Sequence, residues 1–149
     1  MQLVIGLAVE NVRGDGGPFA ALVAKDGVAI AIGVNQVTRS NDPTAHAEIV
    51  AIREACRVLG AFRLDGCDFY TSCEPCPMCL GALYWARPAR VFFAATHSDA
   101  SAAGFDDSFI YRQIETPPSK RTIPMTHVAG ARATLPFEEW RMKADRTEY

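Results

Sequence analysis

Apolar and polar residues follow one another along this chain in blocks whose period changes. "LVIGLAVENVR" repeats apolar residues at helical spacing and predicts a short amphipathic helix, closed by the turn-rich "GDGGP". "FAALVAK" and "VAIAIGVN" are strand-like runs flanking Lys25-Asp26-Gly27, and an Asp-Gly pair between such runs predicts a hairpin. "NDP" then introduces "TAHAEIVAIREACRVLG", a helix with Asp42 as its expected cap, Pro43 at its first position and Gly60 at its end. "GCDFYTS" predicts a strand, "PMCLGALYWAR" a helix stopped by Pro88, and "ARVFFAAT" another strand. Short helical pieces and turns follow, down to a last amphipathic helix in "PFEEWRMKADR". A hairpin followed by alternating helices and strands predicts an α/β domain with helices on a mixed sheet.

Composition narrows the class without naming a function. The 149 residues, 49% apolar and 21% charged, predict one globular domain over 1–149, without repeats or linkers. No apolar run approaches a membrane span, and the N-terminal "MQLVIGLAVENVR" has no basic start or cleavage region, so a cytoplasmic location is expected. A formal charge of −2 gives no footprint for a long nucleic acid, and a small-molecule ligand fits better. Five cysteines, an odd count in an expected reducing compartment, argue against a disulfide framework.

Three of those cysteines lie within seven residues, in "CEPCPMC". Cys76-Pro77-Met78-Cys79 alone has three readings: a redox pair, half of a structural zinc site, or two ligands of a catalytic zinc that keeps a water in its fourth position. A second C-x-x-C is absent, since Cys56 and Cys67 stand alone. Among the three histidines only His46 sits in a pattern, "HAE", while His97 and His127 lie in turn-like surroundings and are expected to be solvated. Pro77 suits a first helical position, so Cys76 and Cys79 share one face at a helix N-terminus. His46 opens a second helix, and both helix ends carry partial positive charge that favours deprotonated thiols. Two thiolates and one imidazole leave a tetrahedral zinc one position short, for water. Glu48, two residues beyond His46, could reach that water rather than the metal. Thiolates weaken zinc as an acid, which makes a carboxylate that takes the proton necessary. Cys73 reads as structural.

His46 and Glu48 with Pro75, Cys76 and Cys79 form the H-x-E and P-C-x-x-C signature of zinc nucleobase deaminases. "GGPFAALVAKDG", "SNDPTAHAEIVAIREAC", "YTSCEPCPMCLGALYWARP", "GFDDSFIY" and the terminal "EY" together resemble bacterial guanine deaminases of the cytidine-deaminase fold, over nearly the whole chain. The resemblance implies a three-layer α/β/α fold, a mixed central sheet with helices on both faces. It implies zinc held by His46, Cys76 and Cys79, with Glu48 as the proton shuttle. Asn35, Phe19, Ala47, Trp85, Asp107 and Tyr149 would surround the bound base, and Asp107 would also act as a catalytic relay, through Tyr149. The implied reaction is hydrolytic deamination of guanine to xanthine and ammonia in purine catabolism. Family members are homodimers with exchanged C-terminal segments, so Tyr149 would close the neighbouring subunit's site.

Two features depart from the family: "PFAA" replaces the usual "PFGA" at Ala20, and the first helix is short at its N-terminus. Blander roles exist for several residues: a turn for Asn35, core for Phe19 and Trp85, a helix cap for Asp107, a frayed end for Tyr149. Alternative substrates are guanosine or another aminated ring such as cytosine, adenine or a triazine. Adenosine editing in transfer RNA is disfavoured by the weak basic character. A different class, a zinc-stabilised binding or redox protein without hydrolytic activity, leaves Glu48 without a purpose.

Overall fold

The computed structural model describes all residues, 1–149. Its sheet has four strands in the order β2-β1-β3-β4, with β1 Ala20–Lys25, β2 Val28–Val34, β3 Cys67–Cys73 and β4 Arg90–Ala95. β1 runs antiparallel to both β2 and β3, whereas β3 and β4 are parallel, so the sheet is mixed as expected. The β1–β2 turn is the Asp26-Gly27 pair, with Lys25 opposite Val28. Both turn residues have positive φ, 51° and 79°, the backbone that matches a two-residue hairpin loop to the strand twist.

Strand side chains alternate between two cores. Ala21, Val23 and Phe69 face one side, where Ala47, Ala51 and Ala55 of α3 (Ala47–Leu59) and Leu83 and Ala86 of α4 (Pro77–Ala86) cover them. Ala20 and Leu22 face the other, under Val4 and Ala8 of α1 (Gln2–Arg13). Helices therefore lie on both faces, giving the expected three layers. The α3 contact is close because its buried stripe is alanine and because β2 offers Gly33. A Cβ on Gly33 would collide with the Ala47 carbonyl and the Ala51 nitrogen. That close approach fixes how deep the first turn of α3 sits.

The start of α3 departs from expectation. Asp42 and Pro43 do not open the helix; Asp42 Oδ1 instead accepts hydrogen bonds from the Thr44 N–H and hydroxyl at 2.8 and 2.7 Å, a local turn. The helix begins five residues after Asp42, with His46 as its N-cap, and ends as expected at Gly60 in the left-handed conformation. A short helix α2, Val37–Ser40, fills the space between and had no clear sequence signal. α4 starts at Pro77 as expected but stops at Arg87, whose φ of 55° ends the helix before Pro88 acts. α5 spans His97–Ala102.

By contact the chain forms two compact units, Met1–Asp107 and Ser108–Tyr149. The second contains α6 (Ser108–Glu115), one 3-10 turn at Pro118–Lys120 and α7 (Leu135–Met142), and none of its residues is buried. No helix of the chain is long and apolar enough to cross a membrane.

Candidate active site

Two helix N-termini and the ends of two parallel strands define the site. His46 is the N-cap of α3 and Cys76 the N-cap of α4, both with extended backbone. An N-cap side chain ordinarily accepts a hydrogen bond from its own helix. Neither of these does. Instead His46 Nδ1 lies 3.5 Å from both the Cys76 and Cys79 sulfurs. About 3.5 Å is the edge of a tetrahedron with Zn–S near 2.3 Å and Zn–N near 2.0 Å. The ligand atoms of His46, Cys76 and Cys79 form a group that could hold a metal ion.

The electrostatics of the triad suit a cation. The Cys76 thiol is pulled down to about 4 by its hydrogen bond with Cys79, against burial and with help from His46. The Cys79 thiol is pushed far up by sharing that proton with Cys76 and by burial. Binding of a divalent metal at this cluster would displace the protons its ligand atoms hold. The donor set and its spacing fit zinc.

Glu48, in the first turn of α3, is only 6% exposed. The Thr71 hydroxyl of β3 donates to its Oε1 at 3.5 Å, and burial pushes its carboxyl above the ordinary range. A carboxyl raised in this way is a stronger proton acceptor than a free one. Cys73, at the end of β3, is buried, with its thiol 3.7 Å from the Thr96 carbonyl and pushed up to about 11 by burial. It stays a neutral thiol beside the triad and is not among its ligand atoms.

The triad and Glu48 open into a cavity of about 500 Å³, which Phe19, Asn35, Cys73, His97, Phe105 and Asp107 also line. Phe19 meets Phe105 edge to face, centroids 4.9 Å apart. Asn35 is buried; its Oδ1 accepts from the Val37 N–H at 3.3 Å, while its NH2 group has no protein partner. His97 Nδ1 sits 2.7 Å from Asp107 Oδ1, an ion-pair distance without hydrogen-bond alignment. The site therefore combines a metal triad, a buried carboxyl, an amide and aromatic faces, a set suited to hydrolysis on a flat polar ring.

Two expected residues, Trp85 and Ala47, lie outside the cavity lining of this chain, and the third, Tyr149, is expected at the neighbouring subunit's site. Trp85 is 64% exposed on α4 and is absent from the cavity lining, because its position faces away from the buried Cys79, Leu83 and Ala86 stripe. Ala47 is fully buried in the core, packed by its methyl rather than lining the cavity. Tyr149 lies in the second unit, 71% exposed, its ring edge-on to Trp140. His97 was expected to be solvated but lines the cavity, and only the fold reveals this. Asn11 was also missed. It continues the Val4-Ala8 stripe of α1, and a polar residue on an apolar stripe was the available signal.

The model of the cytidine and deoxycytidylate deaminase zinc-binding region matches residues 1–95. The chain belongs to that family. The deaminase is 59% identical to the guanine deaminase of Bacillus subtilis over 150 aligned residues, covering 100% of this chain and 96% of that one. The solved structure of a Bacillus subtilis guanine deaminase superposes with a TM-score of 0.98 at 58% identity, covering 99% of this chain and 95% of that one. A guanine deaminase from Nitrosomonas europaea is more distant, with 40% identity and a TM-score of 0.68 over 71% of this chain and 62% of that one. Likeness to the transfer-RNA-specific adenosine deaminase of Aquifex aeolicus is partial, 46% identity over 78 residues, 52% of each chain. The fold is that of the cytidine deaminases, and the deaminase is a zinc hydrolase.

Proposed function

We propose that the deaminase converts guanine to xanthine and ammonia. Its likeness to a guanine deaminase runs the whole length of the chain, and this observation carries the assignment. His46, Cys76 and Cys79 would hold the zinc. Zinc there would supply Lewis-acid chemistry, lowering the pKa of a water and favouring negative charge on oxygen.

Glu48 does the proton work. Buried against Thr71 and lining the same cavity, it takes the water's first proton and delivers it to a ring nitrogen, then takes the second proton from the added hydroxyl and passes it to the departing amine as the C–N bond breaks. Asn35 reads the base: its free NH2 donates to a carbonyl while Oδ1 accepts from the adjacent N–H, an edge that guanine presents. Phe19 gives the ring an apolar face, and Phe105 braces Phe19. Asp107 accepts a second N–H of the base and serves as a further proton relay, with His97 beside it.

The assembly proposed is a homodimer with exchanged C-terminal segments, around one catalytic domain. Residues 108–149 bury nothing of their own although Phe109, Ile114, Met125 and Phe137 are all exposed, and β4 leaves Phe92 and Phe93 uncovered. Five free cysteines suit a cytoplasmic location.

The assay is ammonia release from guanine, guanosine, adenine and cytosine by the zinc-loaded enzyme. Guanine is expected to be the preferred substrate. Release from guanosine alone would refute the free-base assignment.

A further inference from the structure

We infer that Asn11 is a positioning residue for substrate recognition, tying the Gly16-Gly17 turn to Asn35. The inference deepens the proposed function and rests on Asn35 being the residue that reads the base. Asn11 lies near the C-terminal end of α1, outside the deaminase signature, and is buried. Its NH2 group donates both hydrogens across the fold, to the Gly17 carbonyl at 2.8 Å and to the Asn35 carbonyl at 2.9 Å. One planar amide thus joins two cavity-lining segments that are far apart in sequence. Its backbone carbonyl adds a third tie, accepting from the Gly16 N–H at 2.8 Å.

The neighbouring glycines show how closely the turn is fitted. A Cβ on Gly16 would collide with the Asn11 amide, and one on Gly17 would come within 3.0 Å of the Asn35 side chain. Asn35 is further registered by its N–H donating to the Phe19 carbonyl at 3.0 Å. Asn11 therefore sets where the Asn35 backbone stops, and with it where the Asn35 amide presents its donor and acceptor. Aspartate lacks the donors, and leucine has no polar group to offer either carbonyl. The triad and Glu48 hang on α3, α4 and β3, none of which Asn11 bonds. Loss of Asn11 should therefore weaken binding of the base while sparing the chemical step.

The test is a double-mutant cycle on the zinc-loaded enzyme, reading KM and kcat for guanine together with zinc content. Asn11→Ala should raise KM about tenfold, the equivalent of one lost hydrogen bond, with kcat within about threefold and zinc retained. In the Asn35→Ala background the same change should add less than about twofold, because the two residues act through one contact. Multiplying effects, or an unchanged KM in Asn11→Ala while Asn35→Ala is impaired, would overturn the inference. An unchanged KM in Asn35→Ala would instead remove the recognition role beneath it. Should Asn11→Ala fail to fold, Gly16→Ala carries the test, since it displaces the Asn11 amide and should raise KM with the same sparing of kcat; an unaltered KM there counts against the inference.

Discussion

One cavity is built by two different means. The metal triad and Glu48 come from two helix starts, each presenting residues close in sequence: His46 with Glu48, and Cys76 with Cys79. The recognition wall, Asn35, Phe19, His97 and Asp107, comes from a strand end, two loops and the start of α5, and its parts meet through long-range contacts. The first region is set by helix geometry at two helix starts, which meet where His46 Nδ1 approaches Cys76 and Cys79. The second depends on single bonds between distant segments, so substitution of one side chain can shift it without disturbing the metal.

The comparison breaks most visibly at the cysteines. Cys79→Ser should lower zinc well below one per chain and reduce turnover by about a thousandfold or more, whereas Cys73→Ser should keep both. Metal analysis beside an ammonia assay separates the two, and metal loss from Cys73→Ser would overturn the ligand assignment. At the recognition wall, Asn35→Ala should raise KM for guanine by about ten- to a hundredfold while zinc stays bound, as expected when a buried polar contact to substrate is lost. The smallest effect should fall on the scaffold the two regions share. Gly33→Ala should cost about 1–3 kcal/mol by pushing α3 off β2, read as a lower Tm, because the Ala47 carbonyl is backbone and cannot yield.

The same difference decided what could be read in advance. His46, Glu48, Cys76 and Cys79 were legible because helix starts translate spacing directly into geometry. The hairpin at Asp26-Gly27 and the helix end at Gly60 were legible for the same local reason. The start of α3 was not, because Asp42 has two local options and the Thr44 turn won over capping. His97 carried no local pattern, and its place beside Asp107 exists only once α5 has docked. Trp85 matched the family motif, yet its helical position puts it opposite the buried face of α4. Asn11 lay in plain view on an apolar stripe, but its two partners could be known only from the fold.

The central claim is that the triad holds zinc while Glu48 moves the protons, and Glu48→Gln tests it most directly. Glutamine keeps the size and the hydrogen bond to Thr71 but removes the proton carrier. Zinc content and ammonia release from guanine should be measured on the same sample. The account predicts one zinc per chain with turnover reduced by about 10²- to 10⁴-fold. Full zinc with near-normal turnover would contradict it.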